Sequence, residues 1–176
     1  MTTATGNLIL IGMPAVGKST LGVLLAKELV REFVDTDLTI QTREGRALED
    51  ILKEDGHLML RQIEAAVLKT VNATNSIIAT GGSAIYSDEA MVHLKSLGQV
   101  VHLHLPLEAI LQRIDNPVGR GIAKSADQTL ADMYAERQPL YQRYADITID
   151  CRGKTPAQLV AEIIYEEGEY YGDMDA

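Results

Sequence analysis

The stretch GMPAVGKST, Gly12 to Thr20, lies between an apolar run, NLILI (Asn7 to Ile11), and a run with leucines at helical spacing, Leu21, Leu24, Leu25 and Leu29. A G-x-x-x-x-G-K-S pattern in that setting demands a buried strand, a tight loop and a helix in immediate succession. Gly12 and Gly17 let the backbone turn so that successive amides face an anion, with Ala15 and Val16 between them. The helix that follows adds its N-terminal dipole and unpaired donors. In such a loop Lys18 reaches the outer phosphates of a nucleoside triphosphate, the Ser19 hydroxyl is placed to ligate Mg²⁺, and Thr20 assists the phosphate contacts. The plain alternative is a glycine-containing helix start that binds nothing.

Apolar runs then alternate with helical patterns. Phe33–Asp35, Ser76–Thr80, Val100–Leu105 and Asp146–Asp150 read as four more strands after Asn7–Ile11. Helical stretches are expected at 38–43 and 48–54, separated by Gly45, then over a core face of Leu60, Ile63, Val67 and Val71. Further helices are expected at 89–97, 107–113, 130–144 and 156–166, with Pro139 expected to kink or divide the 130–144 helix. This alternation predicts a three-layer α/β/α fold around a five-stranded parallel sheet, in a single domain over 1–176. Residues 115–127, with Pro, Gly and polar residues, read as a mobile lid. The acidic end, 168–176, is expected to be disordered.

A formal net charge of −9 argues against nucleic acid and anionic membranes as partners. No apolar run approaches the ~20 residues that span a bilayer. The opening MTTATGN has neither a basic n-region nor a long apolar h-region, so no signal peptide is expected. A single cysteine, Cys151, cannot form an internal disulfide and fits a reducing cytoplasm. No Asn-Lys-x-Asp stretch is present to read guanine, and no LSGGQ signature of a transporter ATPase.

A second group of residues suits an acceptor. Asp35 and Asp37, in FVDTD, follow the second strand, where open parallel sheets bind ligands. One could organise Mg²⁺ through water while the other takes a hydrogen bond or proton from an incoming hydroxyl. The alternative is that Asp37 simply caps the next helix. Arg61 and Glu64, three apart in LRQIE, are either a surface ion pair or an arginine held by a glutamate and aimed at a substrate carboxylate. Gly81 and Gly82, after the third strand, allow close approach of a ligand to the backbone. Arg120 and Arg137 either supply local positive charge or are solvated surface charges.

Taken together, GMPAVGKST, FVDTD, LRQIE, ATGGSAIYS, the pair Arg113 and Arg120, and ERQPLYQRYAD resemble the shikimate kinases, P-loop kinases of the nucleoside-monophosphate-kinase type. The similarity runs from about Asn7 to Ile164. The resemblance implies transfer of the γ-phosphate of ATP to a ring hydroxyl of shikimate, in aromatic amino-acid biosynthesis, with Mg²⁺ as cofactor, by a monomer. It implies that Asp37 contacts the accepting hydroxyl and that Asp35 and Ser19 serve the metal. Arg61 and Arg137 would clamp the substrate carboxylate, with Glu64 orienting Arg61 and the Gly81–Gly82 backbone completing the pocket. Lys18 and Arg120 would stabilise the migrating phosphoryl group, and Arg113 and Pro156 would flank the adenine. Alternative readings are a kinase for another small hydroxy acid, such as homoserine or a sugar acid, and a nucleotide-binding regulator with a dead acceptor site.

The chain departs from the family pattern in three places. Ser83 stands where a third consecutive glycine is usual, the lid reads RGIA (Arg120 to Ala123) in place of Arg-Pro-Leu-Leu, and the lead-in to Arg61 is GHLMLR, with His57 and Leu60 as replacements. The histidines His57, His93, His102 and His104 share no metal-ligand spacing, and His102 and His104 should point to one face of their strand. Met59 and Met91 are expected to fill the core.

Overall fold

In the computed structural model, which describes residues 6–114 and 122–174, the expected strands form one parallel sheet in the order β2-β3-β1-β4-β5. The strands are β1 (Asn7–Ile11), β2 (Glu32–Asp35), β3 (Ser76–Ala79), β4 (Gly98–His104) and β5 (Ile147–Asp150). The helices are α1 (Lys18–Leu29), α2 (Thr36–Glu44), α3 (Leu48–Lys69), α4 (Asp88–Leu97), α5 (Leu107–Arg113), α6 (Leu130–Tyr144) and α7 (Pro156–Met174). β1 pairs with β3 through Leu8↔Ile77, Ile9↔Ile78 and Leu10↔Ala79, and with β4 through Asn7↔Gly98 to Ile11↔His102. Every residue of β1 and β3 is buried, which is why these central strands read as unbroken apolar runs.

The connection from β1 to β2 runs one way across the sheet, and the connection from β3 to β4 runs the other. Right-handed crossovers therefore put α1 on one face and α4 on the opposite face. α1 packs with α7, and α3 packs with α4, giving the two helical layers. The crevice opens where this direction reverses, between the carboxyl ends of β1 and β3. The main core clusters around Leu8, Leu10, Leu25, Ile77 and Ile163, all at or near zero exposure. A smaller cluster, Ile40, Ile51, Leu60, Val67 and Ala123, underlies the far side of the crevice. Truncating a side chain such as Leu25 to Ala would cost about 2–5 kcal/mol.

The stretch at 48–54 and the helix carrying Leu60, Ile63 and Val67 are two helices as expected; they follow one another within α3 and meet at a sharp break at Gly56 (φ 83°, ψ 170°). Several expectations are corrected. Helix α6 is not divided by Pro139. Proline forfeits one backbone donor there, and Arg137 and Tyr141 are tied to Ala123 and Gly82 on either side of it. Helix α7 does not end near Glu166 but continues to Met174. No proline interrupts this stretch, and Glu167 is buried in an ion pair with Arg31 at 2.7 Å, which pins the helix where the sequence suggested fraying. Met91 is fully buried, whereas Met59 is 44% exposed and fills no core. Of the expected lid, residues 115–121 lie outside the described residues, and Ile122 and Ala123 are buried. Among the described residues no helix is long and apolar enough to cross a membrane.

Candidate active site

The loop between β1 and α1 has the predicted anion-binding build. Gly12 (φ 150°) and Gly17 (φ 108°) take backbone angles that side chains disfavour, and Ala15 shares the left-handed region at φ 65°. A Cβ on Gly12 would stand 2.6 Å from the Leu103 carbonyl oxygen, so the loop lies tight against β4. Helix α1 starts with no side-chain cap and no acidic residue in its first turn. Its orphan amides are therefore left for a ligand. The Lys18 ammonium donates to the carbonyls of Gly12 at 2.7 Å and Met13 at 2.9 Å. Burial lowers its pKa to about 8, with Asp37 opposing the shift.

A cavity of about 320 Å³ opens beside this loop, lined among others by Lys18, Asp37, Glu64, Gly81, Gly82 and Arg137. Ala15, Gly17, Ser19 and Thr20 line it too. Val16 is buried in the core, and neither Arg113 nor Pro156 lines the cavity. Arg113 does lie against the outside of the loop, donating to the carbonyls of Ala15 at 3.3 Å and Val16 at 3.2 Å. Pro156 is the exposed first residue of α7. Arg120 lies outside the described residues.

The two aspartates divide their work differently from the alternative first weighed. Asp35, not Asp37, caps α2: its Oδ1 accepts from the amides of Asp37 at 3.0 Å and Leu38 at 3.3 Å. Its Oδ2 accepts from the Ser19 hydroxyl at 2.8 Å. A hydroxyl and a carboxylate side by side at the mouth of the phosphate loop are hard oxygen donors of the kind Mg²⁺ takes alongside water and phosphate. No cluster of three or more His, Cys, Asp or Glu capable of holding a metal occurs among the described residues. Relieved of capping, Asp37 faces the cavity. Desolvation raises its pKa above the ordinary carboxylate value, and Lys18 pulls it back.

Arg137 is 1% exposed, a guanidinium taken almost entirely out of water. Its Nη2 donates to the Ala123 carbonyl at 2.9 Å and its Nε to the Tyr86 hydroxyl at 3.3 Å. Arg61 stacks over the Tyr86 ring at 3.8 Å and sends its own Nη2 to the same Ala123 carbonyl at 3.2 Å. None of the ion pairs among the described residues uses either arginine. Arg61 stands behind the wall of the cavity rather than on it.

The expectation that Glu64 orients Arg61 is not met: Arg61 Nε and Glu64 Oε1 are each buried without a hydrogen-bond partner, and the two form no surface ion pair. Glu64 is buried and accepts a hydrogen bond from the Ser83 hydroxyl. Helical spacing made Glu64 and Arg61 neighbours, but the third strand's loop supplied Glu64 with a nearer partner. Burial raises the Glu64 pKa to about 7, Asp37 adding to the effect and Ser83 opposing it. A Cβ on Gly81 would overlap Glu64 Oε1 and come within 2.8 Å of Asp37 Oδ1. A larger residue here would push at least one of the two carboxylates aside.

Sequence reasoning missed the residues that hold this wall. The Tyr141 hydroxyl donates to the Gly82 carbonyl at 2.6 Å and so fixes the glycine pair. Tyr86 carries both arginines and bonds Glu136 through its hydroxyl. His102 is buried, stacked on Tyr141 at 5.0 Å, and burial lowers its pKa to about 4. The tyrosines in SAIYS and QPLYQRY were the available signal. Cys151 is buried, and its thiol is pushed up to about 11, away from reactivity.

The comparisons agree with this geometry. The family model for shikimate kinase matches residues 14–166. A shikimate kinase from Persephonella marina is 34% identical over 159 residues, covering 90% of this chain and 96% of the relative. One from Pseudomonas savastanoi pv. phaseolicola is 36% identical over 161 residues, covering 90% and 94%. Among solved structures, the shikimate kinase from Acinetobacter baumannii in complex with shikimate matches with a TM-score of 0.82 at 32% identity, over 92% of each chain. With Lys18, Asp37 and the buried Arg137 on one cavity, a family model that matches residues 14–166 and relatives that cover 90% of its length, the chain belongs to the shikimate kinase family.

Proposed function

We propose that the protein transfers the terminal phosphoryl group of ATP to a hydroxyl of shikimate, giving ADP and shikimate 3-phosphate. The observation that carries this is convergence: Lys18, Asp37, Gly81, Gly82 and Arg137 all line one cavity. A phosphate-binding loop alone would serve any ATPase. A buried arginine that lines the same cavity as the phosphate loop and makes no ion pair among the described residues calls for an anionic acceptor.

The residues divide into two sets. The loop amides and the Lys18 ammonium hold the outer phosphates and offset the charge spread over the equatorial oxygens of the transferring group. Ser19 and Asp35 would hold Mg²⁺, which, when bound, would offset the charge developing on the phosphates. Arg137 takes the acceptor carboxylate, with Arg61 in support. Asp37 accepts the hydrogen bond of the attacking hydroxyl and takes up its proton. Its raised pKa makes it a better proton acceptor than a solvated aspartate. Because little covalent chemistry is asked of the protein, placement of these charges supplies most of the catalysis. One chain provides every residue named, so a monomer suffices, in one catalytic domain. ATP as phosphoryl donor supports a cytoplasmic location.

The test is a coupled assay of ADP release with Mg-ATP, comparing shikimate with homoserine and gluconate. Turnover dependent on shikimate supports the proposal. Turnover only with another hydroxy acid, or with none, refutes it.

A further inference from the structure

Ser83 occupies the last place of the G-G-S turn after β3, at the start of the single 3-10 turn Ala84–Tyr86. Its side chain is 8% exposed and donates to Glu64 Oε2, itself on a residue only 3% exposed. The other oxygen, Oε1, is buried with no hydrogen-bond partner. It stands over Gly81 beside Asp37 Oδ1, on the wall of the cavity. Arg61, one helical turn away on α3, also keeps a buried Nε without a partner. Two complementary groups on neighbouring positions thus stay apart. Buried polar atoms left unpaired are costly, so some contact must hold the carboxylate in place. Among the described residues the Ser83 hydroxyl makes the one hydrogen bond to it.

We propose that Ser83 is a positioning residue for acceptor binding: its hydroxyl turns the Glu64 carboxylate away from Arg61 and presents Oε1 to the acceptor pocket. A glycine at this position has no side-chain donor and would leave Glu64 free to swing to Arg61. The serine therefore sets how the acceptor wall is charged, and with it the fit of a polyhydroxylated acid. The kinetic part rests on the function proposed above. The tether itself does not, and the experiment separates them.

In the ligand-free protein labelled with ¹³C at glutamate carboxyls, the Glu64 resonance is assigned with Glu64→Gln and titrated in wild type and in Ser83→Ala. Loss of the tether lets Glu64 pair with Arg61, and a guanidinium beside the carboxylate favours the charged form more than a hydroxyl does, so the Glu64 midpoint moves to lower pH. An unchanged midpoint overturns the proposal whatever the acceptor is. With shikimate, Ser83→Ala raises acceptor KM by roughly tenfold while ATP KM stays constant. On a Glu64→Gln background the same change adds little, because Ser83 acts through Glu64. Fully additive effects in this cycle overturn the proposal. Wild-type protein that does not turn over shikimate defeats the function proposed above instead, and the titration still decides the tether.

Discussion

Arg61 and Arg137 direct their guanidinium groups at one atom, the carbonyl oxygen of Ala123, at 3.2 and 2.9 Å. Two cations on one neutral oxygen form an arrangement that a carboxylate satisfies better, since each guanidinium gains a charge-assisted bond. Ala123 is held by both arginines, so an acceptor carboxylate that drew them away is expected to loosen it. Arg137→Ala is expected to raise acceptor KM by roughly 10²-fold or more, with ATP KM little altered. Steady-state kinetics with each substrate varied in turn checks this, and an unaltered acceptor KM counts against the clamp.

Asp37 lines the cavity and leaves helix capping to Asp35. Asp37→Asn keeps the shape but removes the proton acceptor. Turnover should fall by ~10²-fold or more while the ATP dissociation constant stays near its wild-type value. Calorimetric ATP binding alongside kcat separates the two, and an unchanged kcat removes Asp37 from the chemistry.

Asp35 serves two ends of the site, the cap of α2 and the Ser19 hydroxyl. Asparagine caps helices about as well as aspartate. Asp35→Asn should therefore leave the melting temperature nearly unchanged yet raise the Mg²⁺ concentration for half-maximal turnover by about tenfold or more. A large drop in melting temperature with normal Mg²⁺ dependence would mean that Asp35 is structural only.

Glu64 ties the site to stability. Its carboxyl holds its proton up to about pH 7 in the fold, against an ordinary 4.5. Between those values the folded state binds more protons than the unfolded chain. The stabilisation is complete below the ordinary value and is lost as pH rises through the folded one. Glu64→Gln removes this dependence. Its stability relative to wild type should rise by up to on the order of 3 kcal/mol between pH 4.5 and pH 8. His102, whose lowered pKa acts in the opposite sense in acid, cancels in that difference. Urea unfolding at several pH values measures it, and a flat difference would show that Glu64 is not desolvated.

Much of this was legible before the structure. The phosphate loop is a local device, written in contiguous residues, and strands buried on both faces announce themselves as apolar runs. What escaped was decided by tertiary contact. Pro139 leaves α6 undivided because Arg137 and Tyr141 are anchored around it. The end of α7 was misjudged because the partner that holds Glu167, Arg31, lies far back in the chain. Glu64 looked like the partner of Arg61 from helical spacing, yet Ser83, from a different element, claims it. Capping fell to Asp35 and not Asp37 because α2 begins two residues earlier than its apolar pattern implied. The Ala123 carbonyl, a backbone atom, leaves no mark in sequence at all.

Phosphoryl transfer here requires an alcohol-bearing acid and a triphosphate to share the crevice between β1 and β3. The most direct measurement is ADP formation by the purified protein with Mg-ATP, with and without shikimate. The expected result is turnover that saturates with shikimate, yields one shikimate 3-phosphate per ADP and collapses in Asp37→Asn. ADP release indifferent to shikimate, or equally fast in that variant, would contradict it.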